Sequence, residues 1–231
     1  MVSSYLFVNF KTYSEATGKK AVRLAKILAF FSRKGVEIIP VVQAVDLASV
    51  SSAVSLKIFG QHADPVSFGS NTGAVLPEAL KSAGAYGTIL NHAENKRPNE
   101  FIEKAVRRCR DAGLKVMLCA ESIQRAKELA RFAPDFIAVE PPELIGGDIS
   151  VSTARPELIS DSVEAIHSVD KKTIVITGAG IKNSGDVRKA LELGTKGVFV
   201  ASGIVKAESQ KNAVNELMKG FHQPNPLRGF R

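Results

Sequence analysis

The chain has 231 residues, of which 45% are apolar and 23% are charged, with 18 glycines and 10 prolines. This composition is typical of a globular protein and excludes a collagen-like chain, a disordered polar chain and a disulfide-rich scaffold. The formal net charge of +8 suits acidic ligands, and the length is compatible with either one α/β barrel or two smaller domains.

Short apolar runs alternate along the chain with longer segments whose apolar residues recur at helical spacing. We predict strands, in chain order, over residues 6–8, 36–42, 55–59, 86–90, 114–119, 136–139, 173–176 and 197–200. We predict helices over residues 24–31, 47–54, 77–84, 98–110, 121–131, 156–167 and 185–193, with a last helix that ends near Met218. The order is therefore strand then helix throughout.

The regular alternation determines the predicted fold class. Continuous apolar strands separated by helices indicate a parallel sheet that is covered on both faces. Eight such units in this length favour an α/β protein made of a single closed (β/α)₈ barrel over an open doubly wound sheet. We expect residues 1–220 to form this one domain and residues 221–231, which lack periodicity, to form a flexible C-terminal tail.

The cysteines and the N-terminus bear on the cellular compartment. Cys109 and Cys119 both continue apolar patterns, so we predict two small buried side chains and neither a disulfide nor a metal site. The N-terminus lacks a signal-peptide pattern, and no apolar run approaches the roughly 20 residues that a membrane helix needs. We therefore predict a cytoplasmic protein with no membrane partner and no bound metal.

Chemically useful residues stand directly after several of the predicted strands. In a parallel barrel the carboxyl ends of the strands meet at one face, where active sites lie. The residues in question are Asn9, Lys11, Asn91, His92, Glu94, Glu140, Gly178, Ala179, Gly180, Ala201, Ser202 and Gly203. The set combines an ammonium group, an imidazole and carboxylates with small residues after the last two strands.

These residue types suit proton transfer beside a carbonyl group in a phosphorylated substrate. A carboxylate such as Glu140 can remove a carbon-bound proton, while Lys11 or a neutral His92 stabilises the resulting enediolate. Because His92 precedes a predicted helix, we expect the helix dipole to keep it neutral. Small residues after strands seven and eight let backbone N–H groups converge on a phosphate. Each residue alone has a simpler structural explanation, and only the combination favours a phosphate-binding enzyme.

Motifs in the same order extend over nearly the whole chain and resemble the triosephosphate isomerase family, in particular its shorter archaeal branch. They are Asn9-x-Lys11, Gln61-His62, Gly69-Ser70-Asn71-Thr72-Gly73, Asn91-His92-Ala93-Glu94, Ala138-Val139-Glu140-Pro141, Ile145-Gly146, Gly178-Ala179-Gly180-Ile181 and Val200-Ala201-Ser202-Gly203. The resemblance implies a TIM barrel that interconverts dihydroxyacetone phosphate and D-glyceraldehyde 3-phosphate without a cofactor, in glycolysis and gluconeogenesis.

The resemblance also implies a role for each site residue. Glu140 would be the catalytic base, His92 the group that polarises the carbonyl, and Lys11 the cation that binds substrate and offsets the enediolate charge. Asn9 would bind substrate beside Lys11, and Glu94 would be a supporting carboxylate. The backbone amides that would bind phosphate are those of Ile145, Gly146, Gly180, Ala201 and Ser202.

Two loops take their expected roles from the resemblance as well. Residues 141–147 match a lid that excludes water, so that the enediolate does not lose its phosphate. Residues 69–73 match an arm that projects into a neighbouring subunit, which implies a homodimer or homotetramer. The sequence departs from the family pattern at Ala93, where Ser is common, at Asn95, where Arg is usual, and at Pro142-Glu143, where Val-Trp is commoner.

Two alternative functions remain open from the residues. One is another phosphate-binding barrel enzyme, such as a sugar-phosphate epimerase or synthase, although such an enzyme would not need Lys11, His92 and Glu140 together. The other is a non-catalytic barrel that binds nucleic acid, as the net charge of +8 suggests. Basic residues are, however, interspersed with acids around residues 96–111, and tryptophan is absent, so we predict no nucleic-acid partner.

Overall fold

A computed structural model of the chain describes residues 4–33, 35–141 and 156–221. Eight parallel strands close into a barrel in chain order, so that β1 pairs with both β2 and β8. The strands are β1 Ser4–Asn9, β2 Val36–Val42, β3 Ile58–Gly60, β4 Ala85–Leu90, β5 Lys115–Ala120, β6 Phe136–Val139, β7 Ile174–Thr177 and β8 Gly197–Val200. The predicted (β/α)₈ barrel is confirmed.

Helices follow every strand and cover the outside of the barrel. In the described ranges they are α1 Lys19–Phe30, α2 Ala44–Ala53, α3 Pro77–Ser82, α4 Asn99–Asp111, α5 Ile123–Ala130, α6 Pro156–His167, α7 Ser184–Glu192, α8 Ser202–Val205 and α9 Gln210–Gly220, with a 3₁₀ turn at Ser14–Ala16 before α1. The four-residue helix α8 was not predicted, because one turn is too short to show apolar periodicity.

The predicted strand over residues 55–59 is wrong at both ends. The observed β3 covers only Ile58–Gly60, and it pairs with β2 through just Phe59 and Gly60. Its pairing with β4 shifts register between Ile58 and Phe59. An apolar run shows where a strand can form, whereas hydrogen bonding to the neighbouring strands decides where it begins.

Side chains of each strand alternate between the barrel interior and the layer beneath the helices. Along β1, Phe7 belongs to the interior cluster, while Leu6 and Val8 belong to the larger cluster that includes the helices. Inside the barrel the rings of Phe7 and Phe136 meet edge to face at 5.2 Å between centroids. Because both faces are buried, the strands are continuously apolar, and the packed interior supports a functional site only at its rim.

The two cysteines are buried and unpaired, as predicted. Burial raises the pKa of the Cys109 thiol to about 12. Burial also raises the pKa of Cys119 well above its usual value, with the neighbouring Glu140 adding to the effect. Both thiols therefore stay protonated, and Cys109 packs as a small apolar group.

Two further sequence predictions fall wholly or partly outside the described residues. Helix α9 ends at Gly220, and the Phe221 N–H closes its last turn by donating to the carbonyls of Met218 and Lys219. The remainder of the predicted tail, residues 222–231, lies outside the described ranges, so the tail stays a prediction. Within the described ranges, no helix combines the length and apolarity needed to cross a membrane.

Candidate active site

A cleft of about 470 Å³ opens at the carboxyl ends of the barrel strands. Eight of the ten residues singled out from the sequence as catalytic, binding or supporting line it together: Asn9, Lys11, His92, Glu94, Glu140, Gly180, Ala201 and Ser202. The other two, Ile145 and Gly146, lie outside the described residues, as does the predicted lid beyond Pro141. Residues far apart in the chain thus meet because parallel strands end at one face.

Glu140 is a buried carboxyl group at the end of β6. Its backbone N–H donates to the carbonyl oxygen of Ala120 at 2.8 Å. This hydrogen bond continues the pairing of β6 with β5 and fixes the position of the Glu140 backbone. Burial raises the pKa of Glu140 to about 7, although a hydrogen bond with the Cys119 thiol and the Lys11 ammonium both lower it. A carboxylate with that pKa is a much stronger base than a solvated one and is still ionised in part at neutral pH.

Gly178, at the end of β7, gives the Glu140 side chain its space. A Cβ atom at Gly178 would lie 2.4 Å from Glu140 Cγ and 3.2 Å from the Val139 carbonyl oxygen. The Gly178 N–H donates to that same carbonyl at 2.8 Å. The sequence-based suggestion that Gly178 offers its N–H to a phosphate is therefore wrong, because this N–H is used in the sheet.

His92 faces Glu140 across the cleft, with Nε2 placed 3.7 Å from Glu140 Oε1. The Glu94 backbone N–H donates to His92 Nδ1 at 3.2 Å, so the ring proton of the neutral form belongs on Nε2. Burial lowers the pKa of His92, and the Lys11 ammonium lowers it further. The histidine is therefore neutral at physiological pH, with an N–H donor directed towards the base.

The expected cause of this neutrality is wrong. Helix α4 begins only at Asn99, and a tight turn follows His92, with the Asn95 N–H donating to the His92 carbonyl oxygen at 2.7 Å. A helix dipole acts within about one turn of the helix end. Desolvation and a nearby cation replace it here, and neither is visible in local sequence.

Lys11 adopts a left-handed backbone conformation with φ of 45°, which is unusual for a residue with a side chain. Its N–H donates to Asn9 Oδ1 at 3.0 Å, and its carbonyl oxygen accepts from Gln61 Nε2 at 2.9 Å. Its Nζ lies 2.6 Å from Glu94 Oε1, with the two side chains 22% and 62% exposed. The strained backbone is thus held on both sides, and the ammonium stands at the wall of the cleft.

Gln61 and Asn91 support the site, and the sequence assigned them no role. Gln61 Nε2 donates to the carbonyl oxygen of Lys11, as described above. Asn91, also at positive φ, donates from Nδ2 to the Cys119 carbonyl at 2.9 Å and accepts from the Arg97 N–H at 3.0 Å. Both residues directly follow a strand; the sequence places Asn91 among the strand-end residues and Gln61 in a family-like motif, but neither pattern indicates these contacts.

The opposite side of the cleft is formed by small residues after β7 and β8. Gly180 has φ of 73°, a conformation that favours glycine. Ala201 precedes α8, whose first N–H groups, beginning with that of Ser202, have no partner within the helix. This side presents backbone N–H groups together with Lys182, whereas the other presents Lys11, His92 and the carboxylates. In the described part of the chain, no cluster of three or more His, Cys, Asp or Glu side chains could hold a metal ion.

Residues 4–219 match the family model described as triosephosphate isomerase. A relative of that name from Methanothermus fervidus is 43% identical over 214 residues, which cover 92% of this chain and 96% of the relative. Those from Methanocaldococcus jannaschii and Methanosarcina mazei are 40% and 41% identical, covering 93% and 95% of this chain and 98% and 99% of the relatives.

Proposed function

The chain belongs to the triosephosphate isomerase family, and we propose that Glu140, His92 and Lys11 carry out the reaction in its strand-end cleft. The protein is an intramolecular aldose–ketose isomerase that interconverts dihydroxyacetone phosphate and D-glyceraldehyde 3-phosphate. Another phosphate-binding barrel enzyme and a non-catalytic binding barrel are not favoured. The observation that carries the assignment of roles is the placement of His92 Nε2 3.7 Å from Glu140 Oε1.

The proposed chemistry begins at the carbon beside the substrate carbonyl. The Glu140 carboxylate removes a proton from C1 of dihydroxyacetone phosphate, and the C–H electron pair forms the C1–C2 double bond. The C2 carbonyl electrons move to its oxygen, where the Nε2–H of His92 and the Lys11 ammonium stabilise the developing negative charge. Protonated Glu140 then delivers its proton to C2, while His92 moves protons between the two oxygens.

The pKa values of Glu140 and His92 shift in opposite directions, and each shift suits the role proposed for the residue. Burial raises the pKa of Glu140 to about 7, which makes it a base that can hold and return a proton. Burial and Lys11 lower the pKa of His92, so the ring donates a hydrogen bond without carrying charge. In the role we assign to Glu94, its ion pair with Lys11 holds the ammonium beside the ring.

We assign substrate phosphate to the side of the cleft formed by Gly180, Ala201 and Ser202. Backbone N–H groups at the start of α8 and after β7 suit a dianion. Asn9, buried beneath Lys11, completes the substrate-binding set. In the same proposal Ile145 and Gly146 add amides from residues 141–147, which act as the lid.

We further propose a homo-oligomer built through the loop that contains residues 69–73. Phe68, which directly precedes these residues, is 77% exposed, and Val45 of α2 is 82% exposed, so both apolar side chains are available to a second subunit. The loop is closed at its base, because Asp64 pairs with Val75 through backbone and carboxylate hydrogen bonds of 2.9 and 2.7 Å. A formed loop with an apolar tip suits insertion into a second subunit.

The catalytic assignment is tested by assaying isomerisation of D-glyceraldehyde 3-phosphate with the native chain and with Glu140→Gln. Glutamine keeps the size of the side chain but cannot accept the proton. We expect activity in the native protein and a loss of roughly 10²- to 10⁴-fold in kcat in the variant, the usual contribution of a general base. Equal rates, with both proteins folded by circular dichroism, would contradict the role of Glu140.

A further inference from the structure

The outer face of α1 carries a line of positive charge, which we call the basic ridge: Lys19, Arg23 and Lys26. The spacing of four and then three residues places these exposed side chains on one stripe of the helix. Helix α1 contains no Asp or Glu. Within the described ranges, none of the three has an ion-pair or hydrogen-bond partner, and Phe30 at the end of the stripe is 72% exposed.

A shallow cleft lies along this ridge. Its volume is about 530 Å³, and its floor includes the half-buried side chains of Val22 and Ile27. Lys211, near the start of α9, forms the far wall and places its ammonium 4.7 Å from the centre of the Phe30 ring. The surface is thus concave, cationic and apolar at one end.

The outer face of α6 carries the opposite charge at the same spacing. Glu157, Asp161 and Glu164, which we call the acidic ridge, are exposed along one stripe of that helix. Helix α6 contains no Lys or Arg, and in the described part of the chain the three carboxylates have no ion-pair or hydrogen-bond partner. Val169, just beyond the helix end, is 39% exposed.

The other strongly charged helix shows how surface charges are ordinarily arranged in this protein. On α4, Lys104 pairs with Glu100 at 2.7 Å, and Arg107 pairs with Glu103 at 3.6 Å. Cations of α4 therefore pair with nearby carboxylates, two within the same helix and a third, Arg108, with Glu78 of α3. On α1 and α6 the charges are instead segregated by sign on two separate faces of the barrel.

We propose that the basic ridge of one copy docks against the acidic ridge of a second copy. Equal spacing lets a parallel alignment place Lys19 opposite Glu157, Arg23 opposite Asp161 and Lys26 opposite Glu164. The same register places Phe30 opposite Ser168, so the exposed ring lies beside the exposed Val169. Charge complementarity selects this occupant, because two basic ridges repel each other.

The contact is head to tail, since two different faces of the molecule meet. Each associated pair leaves one basic and one acidic ridge free, so further copies add until a ring closes or a filament grows. Open-ended growth distinguishes the proposed head-to-tail contact from a symmetric contact through residues 69–73. A single helix-on-helix contact buries less than the roughly 1,600 Å² of a standard interface, so the association is weak and salt-sensitive.

The experiment uses two charge-reversed variants of the full chain. Variant one is Lys19→Glu, Arg23→Glu and Lys26→Glu; variant two is Glu157→Lys, Asp161→Lys and Glu164→Lys. Sedimentation velocity of the native chain is measured from about 0.01 M to about 1 M salt, over which the Debye length falls from roughly 30 Å to roughly 3 Å. We expect assemblies larger than the high-salt species at low salt, and their loss in either variant alone.

Mixing the two variants is the decisive measurement. Variant one has two acidic ridges and variant two has two basic ridges, so an equal mixture regains the large assemblies that each lacks. A control with Lys104→Glu, Arg107→Glu and Lys127→Glu, which lowers the net charge as much as variant one does, keeps native assembly. Isomerase activity reports folding of every variant.

Three results would overturn the proposal. The first is a native sedimentation coefficient that does not change with salt, and the second is a mixture of the two variants that does not associate. The third is retention of the native chain on single-stranded DNA through the basic ridge without self-association, which would reassign that ridge to nucleic acid.

Discussion

The strand-end cleft and the outer face of α1 both combine cations with an aromatic ring, yet only one of them supports chemistry. In the cleft, Lys11, His92 and Glu140 leave bulk water, and desolvation shifts the pKa values of the histidine and the carboxyl group in opposite directions. On α1 the charged groups remain solvated. Burial converts charge into acid–base function, whereas exposure leaves it as attraction that salt screens.

The largest effect is expected from moving the buried carboxylate within the cleft. Glu140→Asp shortens the side chain by one methylene and, under the proposed mechanism, withdraws the carboxylate from the substrate carbon. A displacement of about 1 Å can cost roughly 10²-fold in rate, so we expect kcat to fall by about that factor or more. Steady-state kinetics measure it, and an unchanged kcat would show that the carboxylate position does not matter.

Burial of Glu140 should also cost stability, with a defined dependence on pH. Its pKa rises from 4.5 in the unfolded chain to about 7 in the folded protein, so the folded state holds the proton more tightly. Stability from this group is therefore complete below pH 4.5 and declines as pH rises to about 7, by about 3 kcal/mol in total.

Glu140→Gln removes this titration. We expect the variant to exceed the native protein in free energy of unfolding at pH 8 by up to about 3 kcal/mol, with the difference shrinking towards pH 4.5. Urea denaturation at several pH values measures the difference. A difference that does not vary with pH would show that Glu140 is not desolvated.

In the native enzyme kcat/KM should fall as pH drops below about 7.

A smaller effect is expected from filling the space beside the base. Gly178→Ala adds a Cβ atom 2.4 Å from Glu140 Cγ, so the carboxylate must shift. We expect a loss of about 10- to 100-fold in kcat, since misplacement of the reacting group by about 1 Å costs roughly 10²-fold. Gly60→Ala is the matched control, because Gly60 also ends a strand but does not line the strand-end cleft, and its added Cβ would come no closer than 3.4 Å to the Leu80 side chain. Equal losses in the two variants would contradict a positioning role for Gly178.

The smallest effect on activity is expected from removing charges on the solvated outer face of α1. Replacing Lys19, Arg23 and Lys26 with glutamine removes three charges that lie along the shallow cleft on α1 and do not line the strand-end cleft. At about 0.15 M salt the Debye length is about 8 Å, so we expect kcat/KM to change less than twofold. A tenfold fall would show that α1 contributes to substrate binding and would remove the contrast between the two regions.

The residues that lie together in the site were largely predictable, because one rule connects sequence to position. Apolar runs locate the strands, and the side chain that follows each run lies at the shared face of a parallel barrel. Lys11, His92 and Glu140 were found in this way. Gln61 and Asn91 follow the same rule. Gln61 contacts Lys11 and Asn91 contacts β5, and both partners are more than 20 residues away in the chain.

The distribution of surface charge needed the folded structure. Along the sequence, basic residues are interspersed with acids around residues 96–111, and the net charge of +8 indicated no particular face. In three dimensions cations of α4 pair with carboxylates of α4 and α3, while α1 and α6 separate the two signs on different faces of the barrel. Exposure and pairing are properties of neighbouring elements, which local sequence does not contain.

By itself the sequence determined the barrel and the order of its strands, and it placed the proposed reacting groups at the strand ends, because apolar periodicity and strand ends are local patterns. Only the tertiary structure decided why His92 is neutral, that Gly178 makes room for Glu140, and that Lys11 is held at a positive φ. Each of these depends on desolvation, steric contact or hydrogen bonding between segments distant in the chain, and such effects exist only once the barrel has closed.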